Sequence, residues 1–122
     1  MPQKVLIVDD HLDFIQSIQF VAEIAGYAVV ALTSPKEALD VMDESFDILV
    51  TDLMMPEIDG FTLIEEALKI NPKLKVLVIS AALELAKERY EKSAGFDLVD
   101  LPSRFLAKPF DAESFLVRLQ AL

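Results

Sequence analysis

The sequence predicts an α/β sandwich, a parallel sheet of five strands covered by helices on both faces. Three observations predict it. Five short runs are apolar without interruption and rich in β-branched residues, which implies strands buried on both sides. Stretches of helical periodicity fill the gaps between them. Four of the five runs end in a polar or charged residue, at the strand end where open parallel sheets form their ligand crevices.

The strands are Val5-Leu6-Ile7-Val8, Ala28-Val29-Val30-Ala31, Ile48-Leu49-Val50, Val76-Leu77-Val78-Ile79 and the weaker Phe105-Leu106-Ala107. The first helix carries Phe14, Ile15, Ile18, Val21, Ala22 and Ala25 on one stripe, and Gly26 is placed to end it. The second opens with SPKE: Ser34 as N-cap, Pro35 in the first turn and Glu37 closing a capping box. Phe61, Ile64, Ala67 and Leu68 mark the third helix, which stops before Asn71-Pro72. A fourth carries Leu83, Ala86, Tyr90 and Ala94, with Glu84/Lys87 and Glu88/Lys92 pairs on its reverse face. The last starts near Asp111 and presents Phe115, Leu116, Leu119 and Leu122. Alternation of this kind, wound with right-handed crossovers, predicts a flavodoxin-like (βα)5 three-layer sandwich with strand order 2-1-3-4-5.

At 122 residues with no internal repeat or linker, the chain reads as one domain spanning 1–122. Its apolar fraction of 53% sets it apart from disordered chains. No apolar run is long enough to span a membrane, and MPQKVLIVDD does not read as a signal peptide. The absence of cysteine removes disulfides and thiolate metal sites and suits a reducing, cytoplasmic setting. A formal charge of −10 repels nucleic acid, so no direct phosphate-backbone binding is expected.

The strand tips carry the chemistry. The first strand ends in Asp9-Asp10, the third in Asp52, the fourth in Ser80 and the fifth in Lys108. Asp52, Ser80 and Lys108 follow at equal intervals of 28 residues. A βα unit occupies about 30 residues, so all five side chains are expected at one end of the sheet. Three carboxylates crowded there repel one another, and a divalent cation resolves the conflict. With only oxygen ligands on offer, Mg²⁺ is the natural candidate, held by one or two carboxylates, waters and a phosphate oxygen. Lys108 and Ser80 supply a positive charge and a hydroxyl donor for a phosphoryl group. Asp52, at the tip of the middle strand, is the carboxylate best placed to attack phosphorus.

Together VLIVDDH, DILVTDLMMPEIDG, VLVISA and FLAKPF resemble the receiver domains of two-component response regulators over essentially the whole chain. The resemblance implies a phosphoacceptor at Asp52, charged from the phosphohistidine of a sensor histidine kinase or phosphotransfer protein. It implies Mg²⁺ held by Asp9, Asp10, Asp52 and the backbone carbonyl of Met54. Ser80 and Phe105 would respond to the phosphoryl group, the first by following it and the second by swinging inward. Lys108 would pair with the phosphate, before a cis bond to Pro109. Pro56 and Gly60 most simply shape the loop into the third helix. Phosphorylation would remodel the face of the fourth helix, the fifth strand and the last helix, for an output partner, an effector domain or a second copy of the chain. Such a domain promotes its own phosphotransfer and dephosphorylation and has no separate turnover substrate.

Each residue also has an ordinary reading. Asp9 and Asp10 can cap the first helix, Asp52 can serve a turn, Lys108 can be a solvated lysine and Phe105 a core aromatic. His11 could serve as a metal ligand or phosphodonor, but it reads as a partly exposed residue of the first helical turn, since the resemblance puts the donor histidine on another protein. The joint occurrence of the set at four strand tips favours the functional reading. An alternative is an interaction module of the same fold that is never phosphorylated; another is a phosphohydrolase with an aspartyl intermediate. Two departures from the family stand out. The stretch GFDLVDLPSR lengthens the path from Gly95 to Lys108 and is expected to alter the output face. Met54 places an apolar side chain where some relatives carry a polar one that positions attacking water. The chain ends at Leu122, soon after its last helix, so no effector domain is expected within it.

Overall fold

The structure, a computed structural model, describes residues 2–81 and 105–122. Five strands, β1 (Lys4–Val8), β2 (Ala28–Leu32), β3 (Ile48–Asp52), β4 (Lys75–Ser80) and β5 (Phe105–Ala107), form one parallel sheet in the order β2-β1-β3-β4-β5. Helices α1 (Leu12–Ile24), α2 (Pro35–Val41), α3 (Gly60–Ile70) and α4 (Ala112–Gln120) cover it. The expected flavodoxin-like class and strand order are therefore observed. The helix expected around Leu83–Ala94 and the lengthened stretch before Lys108 lie outside the described residues.

Two apolar layers explain the unbroken apolar runs. Successive side chains of a strand point to opposite faces. Leu6, Val8, Leu49, Val76, Val78 and Phe105 therefore pack with Ala38, Met42, Leu63, Ile64 and Ala67 of the α2–α3 side. Val5, Ile7, Ile48, Val50, Leu77, Ile79 and Leu106 pack with Ile15, Ile18, Ala22, Phe115 and Leu119 of α1 and α4. Burial of both faces leaves no solvent side on which polar residues could alternate.

Local chemistry sets the helix ends. Gly26, at φ +99°, takes the left-handed position that terminates α1. Its N–H donates to Glu23 O and that of Tyr27 to Ala22 O, the bond pair of a Schellman motif. Ser34 Oγ accepts from the Glu37 N–H at 3.3 Å, the backbone half of the expected capping box, and donates its own proton to Glu57 Oε1 at 3.0 Å. Asp59 and Asp111 cap α3 and α4 by accepting from Thr62 N (2.9 Å) and Ser114 N (2.7 Å). Asn71 ends α3 buried, its amide donating to the carbonyls of Phe46 (2.7 Å) and Asp43 (3.3 Å).

Candidate functional site

β1 and β3 are neighbours in register, Val8 opposite Thr51, so the residues that follow them emerge side by side at the carboxyl end of the sheet. Asp9 is fully buried and Asp52 almost so. Asp52 is the last residue of β3 itself, two beyond the apolar run, and Thr51 Oγ1 donates to its carbonyl at 2.7 Å. Its carboxylate is divided between two tasks. Oδ1 accepts from the Leu53 N–H at 2.7 Å, with the Met54 N–H at 3.5 Å. Oδ2 faces the Lys108 ammonium at 3.2 Å.

Lys108 reaches this point from the end of β5. Its backbone N–H donates to Ser80 O at 2.8 Å, carrying the sheet's ladder one step past the strand. The ammonium lies 2.6 Å from Asp9 Oδ2, bridging the two buried aspartates. It also sits 4.2 Å from the centroid of the Phe14 ring. That ring meets Phe110 edge-on, and Phe110 stacks on Phe115 in the core. Lysine at this depth, 17% exposed, is held by two charge-assisted bonds and an aromatic floor rather than by solvent. The Lys108–Pro109 peptide bond is cis.

Asp10 completes the acidic group at the rim, its side chain 26% exposed. Its Oδ1 is nonetheless buried and has no hydrogen-bond partner among the described residues. Asp9, Asp10, His11 and Asp52 each bring one ligand atom within 4.8 Å of the others. Three carboxylates face one ammonium, an excess of two negative charges where a buried acceptor is already orphaned. The three carboxylates of that set fit a hard divalent cation with oxygen ligands.

The loop from β3 to α3 is closed over these groups by the Gly60 N–H donating to Leu53 O at 3.0 Å. A Cβ on Gly60 would stand 2.3 Å from Asp52 O and 2.7 Å from Leu53 Cα. Only glycine lets the start of α3 approach the strand tip this closely. Within the loop Glu57 adopts φ 72°, the left-handed region, with its carboxylate on Ser34.

The structure thus brings together Asp9, Asp10, Asp52 and Lys108. It puts Ser80 fully buried at the tip of β4, adjoining β5, and Phe105 buried in the α2–α3 core. Met54 is exposed at the mouth. The ordinary reading of Asp9 and Asp10 as caps of the first helix is not realised: His11 occupies the N-cap position with no side-chain cap bond, and Asp9 Oδ1 accepts from the N–H of His11 itself at 2.9 Å while Oδ2 holds Lys108. Two participants were set aside or passed over in the sequence reading. His11 is exposed as expected, yet its Nδ1 lies 3.1 Å from Asp9 Oδ1 and 3.2 Å from Asp10 Oδ1. Phe14 was read only as a core-facing residue; its place one turn into the helix after a strand tip is the signal that aims it at the site.

The family described as the response regulator receiver domain matches residues 5–120. Response regulator SaeR of Staphylococcus aureus is 30% identical over 117 residues, which cover 96% of this chain and 49% of SaeR. The chain thus spans about half the length of the curated relatives it matches. Among solved structures, chemotaxis response regulator CheY4 of Vibrio cholerae is 28% identical with a TM-score of 0.77, covering 99% of this chain and 98% of that one. A receiver domain protein from Clostridium thermocellum is 27% identical with a TM-score of 0.80, covering 98% and 92%. A CheY-like protein from Methanospirillum hungatei, 24% identical and covering 99% and 93%, shares the fold at a TM-score of 0.84. The family match begins in β1 and runs through Asp52 and Lys108 to the end of α4, and on that evidence the chain belongs to the response regulator receiver domains.

Proposed function

We propose that the protein is a phosphorylation-dependent switch in which Asp52 takes a phosphoryl group from the phosphohistidine of a sensor histidine kinase or phosphotransfer protein. Asp52 Oδ2 attacks phosphorus as the P–N bond breaks. The donor imidazole leaves with the electron pair, and an acyl phosphate remains on Asp52. Oδ1, tied to the Leu53 amide, keeps the carboxylate from turning as Oδ2 reacts. Lys108 exchanges its bond to Asp52 for one to a phosphoryl oxygen and retains Asp9. Asp9, Asp10, Asp52 and the Met54 carbonyl would hold Mg²⁺, which when bound supplies Lewis-acid neutralisation of the phosphoryl oxygens.

The observation that carries this reading is the Lys108 ammonium suspended between two buried aspartates. Ser80 and Phe105 then bias two pre-existing conformations toward an output surface read by an effector, a partner protein or a second copy. The chain turns over no separate substrate and works in the cytoplasm; among the described residues no helix is long and apolar enough to cross a membrane. Phosphodonor labelling with phosphoramidate, read by intact mass with and without Mg²⁺, tests it. Wild type gains one phosphoryl mass only with Mg²⁺, and Asp52→Ala gains none. A mass gain persisting in Asp52→Ala overturns the assignment of the acceptor.

A further inference from the structure

We propose that His11 is a direct ligand of the ion in this pocket, so that the site takes a first-row transition dication that accepts imidazole nitrogen in preference to Mg²⁺. The inference rests on the metal-site reading above and adds a nitrogen to it. His11 Nδ1 lies 3.1 Å from Asp9 Oδ1 and 3.2 Å from Asp10 Oδ1. Neighbouring ligand atoms on an octahedral ion with bonds of about 2.1 Å stand roughly 3.0 Å apart. The nitrogen therefore stands at ligand spacing from each of the two oxygens. Asp52 lies within the same 4.8 Å group.

A hydrogen bond alone accounts for less. A proton on Nδ1 can serve Asp9 Oδ1, but Asp10 Oδ1 then stays buried with no hydrogen bond among the described residues. A cation between them satisfies the nitrogen and both oxygens at once. The His11 backbone is already fixed against Asp9 through its N–H, which places the ring before any ion arrives. The ring is 68% exposed, so coordination costs it little desolvation beyond the loss of water. Imidazole favours Co²⁺, Ni²⁺ or Zn²⁺, whereas magnesium selects oxygen. A nitrogen in the set thus separates these ions further than carboxylates alone.

The chain holds one histidine, so any imidazole detected on a metal in the untagged protein is His11. Titration calorimetry with Ni²⁺ and Mg²⁺, and pulsed EPR with Mn²⁺, test the inference on wild type and His11→Ala. The expected result is at least tenfold weaker Ni²⁺ binding in His11→Ala, Mg²⁺ affinity within twofold, and ¹⁴N coupling present only in wild type. Mn²⁺ bound to wild type without ¹⁴N coupling, with Ni²⁺ affinity unchanged in His11→Ala, overturns the role of His11 and leaves the acidic site standing. Equal weakening for both metals overturns it too. Binding of neither metal to wild type overturns both readings.

Discussion

Asp10 and Gly60 show how single residues at the strand tips trade stability for a working site. Asp10 adds a third carboxylate beside Asp9 and Asp52, and the Lys108 ammonium that bridges that group is already shared by the other two. In the absence of metal it contributes repulsion and an orphaned oxygen. Asp10→Asn is therefore expected to raise metal-free stability, by about 0.5–1 kcal/mol given its partial exposure. The same substitution should remove most of the rise in melting temperature that Mg²⁺ brings to wild type. Thermal melts of both proteins with and without Mg²⁺ check the two effects together. Gly60 acts through space rather than charge. Gly60→Ala forces a methyl against Asp52 O and Leu53 Cα, so the β3–α3 loop has to move. A loss of about 1–3 kcal/mol is expected, as for other overpacked sites. Because the displaced atoms belong to Asp52, the proposed phosphoacceptor, and its neighbour, the labelling rate at Asp52 should fall as well. Denaturant midpoints and the phosphoramidate time course measure the two losses.

At the scale of elements, caps and register do most of the positioning, and their chemistry is largely local. Asp111 illustrates it. The Ser114 backbone N–H bonded to its carboxylate, with the Ser114 side chain second, holds its pKa below the ordinary carboxylate value. A carboxyl group depressed in the folded state contributes stability that is complete above the unfolded pKa, about 3.9, and is lost as pH falls through the lower folded value. Asp111→Asn preserves the cap but cannot titrate. It should flatten the fall of stability below about pH 4 and leave neutral pH almost unchanged, as urea midpoints across pH would show. Caps of this kind were legible because they follow from residue type and position: Ser34, Gly26 and Asp111 each announce their helix end. The strand tips were legible for a related reason, since a parallel sheet returns each tip to the same end. Contacts across elements were not. His11 was read as part of its helical turn, and its approach to two aspartates depends on the twist of the chain between β1 and α1. Phe14 under Lys108 joins α1 to the end of β5, a pairing that no local pattern encodes.

Across the whole molecule the two ends of the sheet divide the work. The carboxyl end gathers buried acids, a bridging lysine and a left-handed Glu57, all features that cost stability. The amino end does the reverse. There Asn71 joins the end of α3 to the loop before β3 through the carbonyls of Phe46 and Asp43, and its own Oδ1 accepts from the Lys73 N–H at 3.2 Å. Removing the amide leaves the Phe46 carbonyl without this bond in a 3% exposed setting, so Asn71→Ala should cost about 1–3 kcal/mol. Stability is not uniform across a structure, so a loss confined to the amino end leaves the folded carboxyl end in place until the protein unfolds. Well below the melting transition, Asn71→Ala should therefore take up phosphoryl groups at the wild-type rate with Mg²⁺ while melting earlier. Asp10→Asn should melt later and label poorly. The opposite signs in the two measurements separate a scaffold end from a chemical end. An Asn71→Ala protein that is folded yet labels as slowly as Asp10→Asn would show instead that the amino end helps set the geometry around Asp52.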